Sequence, residues 1–175
     1  MTLPTFIDYA VAVNDYSPEE PITILAEGSS FFMVNSDNPG YGTAVNRLLK
    51  AINIKPGLIG ILNTDIQWNH HTFESIIDWM DMQPDVHLLV PQITNSSGQV
   101  QKLCKQNPTI LGLFSRRFVP LFLKPKWLKR YDEWYTMANK DYSSIFDVPY
   151  LSGCCMIART SSFIESGGFD QRYFL

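Results

Sequence analysis

Five short apolar runs, separated by segments of helical periodicity, constrain this chain more than any other feature. They are Tyr9–Val13 (YAVAV), Phe31–Val34 (FFMV), Leu58–Leu62 (LIGIL), Val86–Val90 (VHLLV) and Cys154–Ala158 (CCMIA). Runs this short and this continuously apolar suit strands covered on both faces. Between them, Ala44, Val45, Leu48, Leu49 and Ile52 share one helical face within Thr43–Ile52. Phe73, Ile76, Ile77 and Met80 do the same within Thr72–Met82, with Thr72 as the expected N-cap and Pro84 and Asp85 as the stop. Strands alternating with helices predict an α/β domain, a mostly parallel sheet with helices on both faces. Sites in such sheets gather beyond the carboxyl ends of the strands, so the loops after them carry the functional information.

Several function classes drop out on composition. The 175 residues suit one domain and one core. No apolar run reaches the roughly 20 residues of a membrane-spanning helix. The opening MTLPTFIDYA lacks the basic flank and apolar stretch of a secretory signal. Three cysteines, Cys104, Cys154 and Cys155, make no disulfide framework and fit a reducing compartment; the adjacent pair reads as small core residues. A net charge of -3 gives no reason to expect nucleic acid as a partner. The charge is uneven, however. Leu113–Tyr135 holds six basic and two acidic residues, +4, which leaves -7 on the remainder. Phe114, Phe118, Phe122, Trp127, Tyr131, Trp134 and Tyr135 interleave with those cations. The segment reads either as an ordinary amphipathic surface or as a contact with anionic lipid headgroups or a lipid-linked ligand.

Each strand end has its own chemistry. After YAVAV, Asn14, Asp15, Ser17 and Pro18 form a turn whose short polar side chains suit a base or ribose. After FFMV, Asn38, Gly40, Gly42 and Asn46 lead into a helix, the glycines permitting a tight turn and close backbone approach. No Gly-Lys-Ser/Thr follows, so this is not a P-loop. After LIGIL come Asn63, Thr64 and Asp65. A carboxylate at the end of a buried strand adds little stability. It either caps the next element or, with a polar neighbour, holds Mg²⁺ or Mn²⁺, which take one or two carboxylates and complete the shell with phosphate and water. His70 and His71 are adjacent and have no partner at i+4, so they read as surface residues at a helix entry, and His87 reads as structural.

Taken in order, these loops resemble the family-two glycosyltransferases of the GT-A fold, closest to their rhamnosyltransferase-like branch in bacterial surface polysaccharide synthesis. VAVNDYSPEE is similar to the strand-two V-D-N-x-S signature, with Asn14 and Asp15 in reversed order. NPGYGTAVN resembles N-x-G-x-G-x-x-x-N, and LNTD resembles the L-N-x-D variant of the metal-binding D-x-D motif. VPQITNSSGQVQ resembles P-x-I-x-x-x-x-G-x-I-Q. YLSGCCMIART…FIESGGFDQRYFL is similar to the block W-x-x-G-A-x-M-L-I-R-R…F-x-x-V-G-G-F-D-E-x-F-F-L.

The resemblance implies a Rossmann-like nucleotide-diphospho-sugar transferase fold in one glycosyltransferase domain over residues 1–175, clipped at both ends. It implies inverting transfer of a sugar from a nucleotide-diphosphate donor to a saccharide or lipid-linked acceptor. Asn14, Asp15, Ser17, Asn38, Gly40, Gly42, Asn46 and Asn63 would meet the donor. Asp65 would hold the divalent cation, and Gly153, Gly168 and Asp170 would line the acceptor side. The general base would be an acidic motif expected after Leu175. The implied location is cytoplasmic, with peripheral contact at the inner membrane face through Leu113–Tyr135. Two alternatives stand beside this reading: a catalytically silent nucleotide-sugar-binding module, and a sugar nucleotidyltransferase. The second is disfavoured because its glycine-rich signature usually follows the first strand.

Overall fold

The computed structural model describes residues 7–14 and 29–174. Asp15, Ser17 and Leu175 lie outside the described residues. Strands β1 (Ala10–Val13) and β2 (Phe31–Val34) pair in parallel, Ala10 opposite Phe31 and Val13 opposite Val34. Backbone bonds from Ser30 N to Tyr9 O (2.8 Å) and from Asn35 N to Val13 O (2.9 Å) continue the ladder at both ends. Helix α1 (Tyr41–Ala51) follows and packs on β1. Its most buried residues are Gly42, Ala44 and Asn46, so its inner face is set by small and polar groups. Val45, Leu48 and Leu49 are only half-buried.

Strand β3 (Leu58–Leu62), helix α2 (Thr72–Met82) and the short β4 (Leu88–Leu89) come next. Helix α2 has the predicted bounds, but its cap is His71, at a left-handed φ of 63°. Thr72 is already helical, and its hydroxyl donates to Asn69 O (2.8 Å). Further along lie α3 (Ile110–Phe118), a 3-10 turn (Leu121–Leu123) and α4 (Lys126–Tyr135). The described elements close with β5 (Cys155–Arg159) and the short α5 (Thr160–Glu165).

The second sheet runs β3-β5-β4. Strand β5 pairs antiparallel with β4, Leu88 opposite Ala158 and Leu89 opposite Ile157. The expected α/β class is met in part by a mixed architecture, with β1 and β2 parallel and β4 and β5 antiparallel. The reason is physical. A run such as CCMIA is apolar because both its faces are covered, and that says nothing of the direction of its neighbours.

Two compact units result, one from Met1–Leu89 with Ile157–Leu175, the other from Val90–Met156. The core of the first is built on Phe73, Met80 and Ile157, with Leu58, Leu62, Trp68 and Trp79 packed against it. Met80 is fully buried. In the second, α3 packs on α4 around buried Ser115, Leu128 and Tyr135. Thr109 caps α3 by accepting from Gly112 N (3.1 Å). Isolated bridges Thr94–Val100 and Lys105–Tyr150 tie the loops of this unit. All three cysteines are free, and burial beside Cys154 pushes the Cys155 thiol up to about 11, so it is an inert core group.

Candidate functional site

The carboxyl ends of β1 and β2 lie side by side because the strands are parallel, and each is followed by an asparagine. Asn35 Nδ2 donates to Asn14 Oδ1 (2.8 Å). Asn35 is only 7% exposed, so its remaining oxygen needs a partner. It has one: Arg47 Nη1, from α1, donates to Asn35 Oδ1 (3.2 Å). The same guanidinium grips Asp37 through Nη1–Oδ1 (2.8 Å) and Nη2–Oδ2 (3.3 Å). The result is a polar relay, Asn14–Asn35–Arg47–Asp37, fixed at the mouth of the parallel pair. Sequence reading singled out Asn14 but passed over Asn35, Arg47 and Asp37. The available signal was the recurrence of asparagine at the same step after two adjacent apolar runs.

The Arg47 guanidinium holds the Asp37 carboxyl below its ordinary value of 3.8. Both side chains are largely exposed, so the pair is a weak stabiliser. A carboxyl lowered on folding contributes above its unfolded value, and that contribution is lost as pH falls through the folded one. The thermal midpoint difference between the wild type and Asp37→Asn should therefore be small at pH 7 and shrink below about pH 4. A difference that grows on acidification would show that the pair is not the cause.

Asn38, in the loop to α1, accepts from Gly40 N (3.2 Å), and Gly40 adopts φ 80° to start the helix. This leaves the first N–H groups of α1 at the end of the polar loop. One residue before Arg47, Asn46 points elsewhere. Its Nδ2 donates to Phe169 O (2.7 Å) and its Oδ1 accepts from Phe169 N (3.0 Å), so the amide pairs with a backbone unit as a strand would. Gly168, at φ 73°, makes room for this: a Cβ there would lie 2.6 Å from Asn46 Oδ1. Gly42 does the same on the other side, since a Cβ there would lie 2.8 Å from Phe169 Cβ. Gly42, Asn46 and Gly168 are thus brought together in one joint around Phe169, whose ring meets Tyr41 and Phe163 edge-on. Phe169 itself was missed by sequence reading.

Asp170 follows directly and is exposed. Arg172 clasps it through Nε (2.9 and 3.0 Å) and Nη2 (2.5 Å), which holds its carboxyl below the usual range. Gly153 lies exposed in the second unit.

Asn63 and Asp65 sit in the turn that leaves β3, both exposed. Asn63 O accepts from Ile66 N (3.4 Å), which folds the turn back. Asp65 heads no helix and, among the described residues, makes no ion pair or side-chain hydrogen bond. No group of three or more His, Cys, Asp or Glu gathers as a metal cage among the described residues. A lone, unneutralised carboxylate fits Mg²⁺ or Mn²⁺ only in the manner of a phosphate-bridged ion, with substrate oxygens and water completing the shell. Among the described residues no helix is long and apolar enough to cross a membrane.

The sequence is 30% identical over 149 residues, 79% of this chain, to proteins named N-acetylglucosaminyl-diphospho-decaprenol L-rhamnosyltransferase from Mycobacterium tuberculosis strains CDC 1551 / Oshkosh and ATCC 25618 / H37Rv. The chain spans about half the length, 47%, of these curated relatives. No family model matches the sequence. No solved structure matches it significantly.

Proposed function

We propose, on the premise that this chain has the sequence of a rhamnosyltransferase-like glycosyltransferase, that it binds a nucleotide-diphospho-sugar at the ends of β1, β2 and β3 and transfers the sugar to a lipid-linked saccharide. The observation that carries this reading is the polar relay at adjacent parallel strand ends, with an unpaired carboxylate at the end of β3. Parallel strand ends are where α/β sheets bind nucleotides. Asn14 offers its amide to a base or ribose, buried Asn35 holds it in place, and Arg47 supplies a cation beside them. The N-terminal turn of α1, opened by Gly40, faces its N–H groups toward the same loop.

Asp65, with Asn63 as a polar neighbour, would hold the divalent cation. When bound, that ion supplies charge neutralisation on the leaving diphosphate. The joint at Phe169 fixes the backbone next to Asp170, which gives the acceptor side a rigid edge. Transfer is inverting, by in-line attack of the acceptor hydroxyl. Asp170 is not the base, because a carboxylate clasped by Arg172 and lowered in pKa is a poor proton acceptor. The acceptor class follows the relatives' names, which specify a decaprenol-linked N-acetylglucosamine. Synthesis of a cell-surface polysaccharide on the cytoplasmic side of the membrane follows from the same reading.

Calorimetry with UDP, dTDP and GDP, with and without Mn²⁺, tests the proposal. One nucleotide should bind more tightly with Mn²⁺, and Asp65→Ala should remove that gain, about tenfold or more in Kd, without changing metal-free binding. Affinity that is unchanged by Asp65→Ala would sink the metal assignment. Donor binding without transfer to a polyprenyl-diphosphate acceptor would favour the silent binding module.

A further inference from the structure

Helix α3 is built inside out. Among its described side chains the buried ones are small, Gly112 and Ser115, and the Tyr131 hydroxyl of α4 lies where a side chain at Gly112 would begin. Four of its large apolar residues face away. Ile110 is 90% exposed and Phe118 65%, with Leu113 and Phe114 between them on the same stripe at i, i+3, i+4 and i+8. The 3-10 turn continues the pattern, with Phe122 82% exposed and Leu123 beside it. A helix that buries Gly112 and Ser115 and exposes four large apolar residues shows a contiguous apolar face of the kind that marks an interaction site.

We propose that this face, Ile110–Leu123, inserts into the interface of an anionic lipid bilayer, with the cations around it holding lipid phosphates. Charge is the reason to choose lipid over a protein partner. Arg117 falls in the middle of the apolar stripe of α3, where a protein interface would have to desolvate it. At a bilayer the stem lies among acyl chains and the guanidinium reaches back to the phosphates. Lys126, Lys129 and Arg130 follow, all exposed, and among the described residues none has an ion pair. On α4, Trp127, Arg130 and Trp134 share a second exposed stripe, the pairing of aromatic and cation that suits the headgroup level. Lys124 is excluded from this set because it is buried against Asp132 (2.5 Å). Neither helix is long enough to span, so the attachment is in-plane.

The proposal does not depend on the donor-site reading, and its test contains no nucleotide. The whole chain is floated on a density gradient with vesicles of phosphatidylcholine alone or with 30% phosphatidylglycerol. It should float with the anionic vesicles and release in high salt. Phe122→Ser and Arg117→Glu alter exposed side chains, so the fold is expected to persist, with circular dichroism as the check. Each should weaken partition about tenfold. No flotation with anionic vesicles, or flotation that both variants leave unchanged, overturns the proposal. Self-association abolished by Phe122→Ser, without flotation, overturns it also and assigns the face to a second copy of the chain.

Discussion

Gly168→Val is expected to lower the stability of the first unit by about 4 kcal/mol. Two independent effects combine. At φ 73° any β-branched residue is strained, and the new Cβ occupies the space of Asn46 Oδ1, 2.6 Å away. Asn46 is 7% exposed and cannot swing into solvent, so its two bonds to the Phe169 backbone stretch or break. A buried amide left unpaired costs about 1–3 kcal/mol. Urea unfolding measures the sum, and a loss below about 1 kcal/mol would show that the joint is not built as described. A double-mutant cycle separates the terms. In an Asn46→Ala background the clash is gone, and Gly168→Val should cost only the backbone strain, about half as much. Equal costs in both backgrounds would remove Asn46 from the account.

The second large effect is at Arg159, where Arg159→Met should cost about 3 kcal/mol. This last residue of β5 sends Nε to Val86 O (2.9 Å) and Nη2 to Met80 O (2.7 Å) and Gln83 O (3.0 Å). Met80 and Gln83 belong to the end of α2, which has no basic residue in its last turn and carries Asp78 and Asp81 near it. The helix thus ends with a negative dipole, acidic neighbours and carbonyls of Met80 and Gln83 that each accept one backbone N–H and keep a lone pair for the guanidinium from β5. Methionine keeps the stem but supplies no donor. Arg159→Lys retains the charge without the fork and should recover less than half of the loss. Full recovery by lysine would make the charge, not the geometry, the source of the effect.

The two sites differ in how far they could be read from the chain alone. Apolar period and turn residues were enough to locate β2, β3 and α2 at their observed bounds. They also put Asn14 and Asp65 at strand exits, because burial of a strand is written in its own residues. Tertiary pairing is not written there. Asn46 reaches Phe169 across 123 positions, and no periodicity names that partner. Asn35 reads locally as a turn former, and only the parallel pairing of β1 and β2 sets it against Asn14. The antiparallel entry of β5 was hidden for the same reason. The inside-out packing of α3 was concealed by Gly112 and Ser115, which a hydrophobicity pattern treats as gaps in a helix, not as its contact face.

The strand order β3-β5-β4 also has a bearing on how the chain is made. The central strand is the last of the three to leave the ribosome. Until Cys155–Arg159 emerges, Leu58–Leu62 and Leu88–Leu89 have no partner between them, and all of Val90–Met156 is synthesised in that interval. By contrast, β1, β2 and α1 all fall within the first 51 residues and can close early. The nascent chain therefore carries two unpaired apolar strands while Val90–Met156 is made, a natural target for a ribosome-associated chaperone.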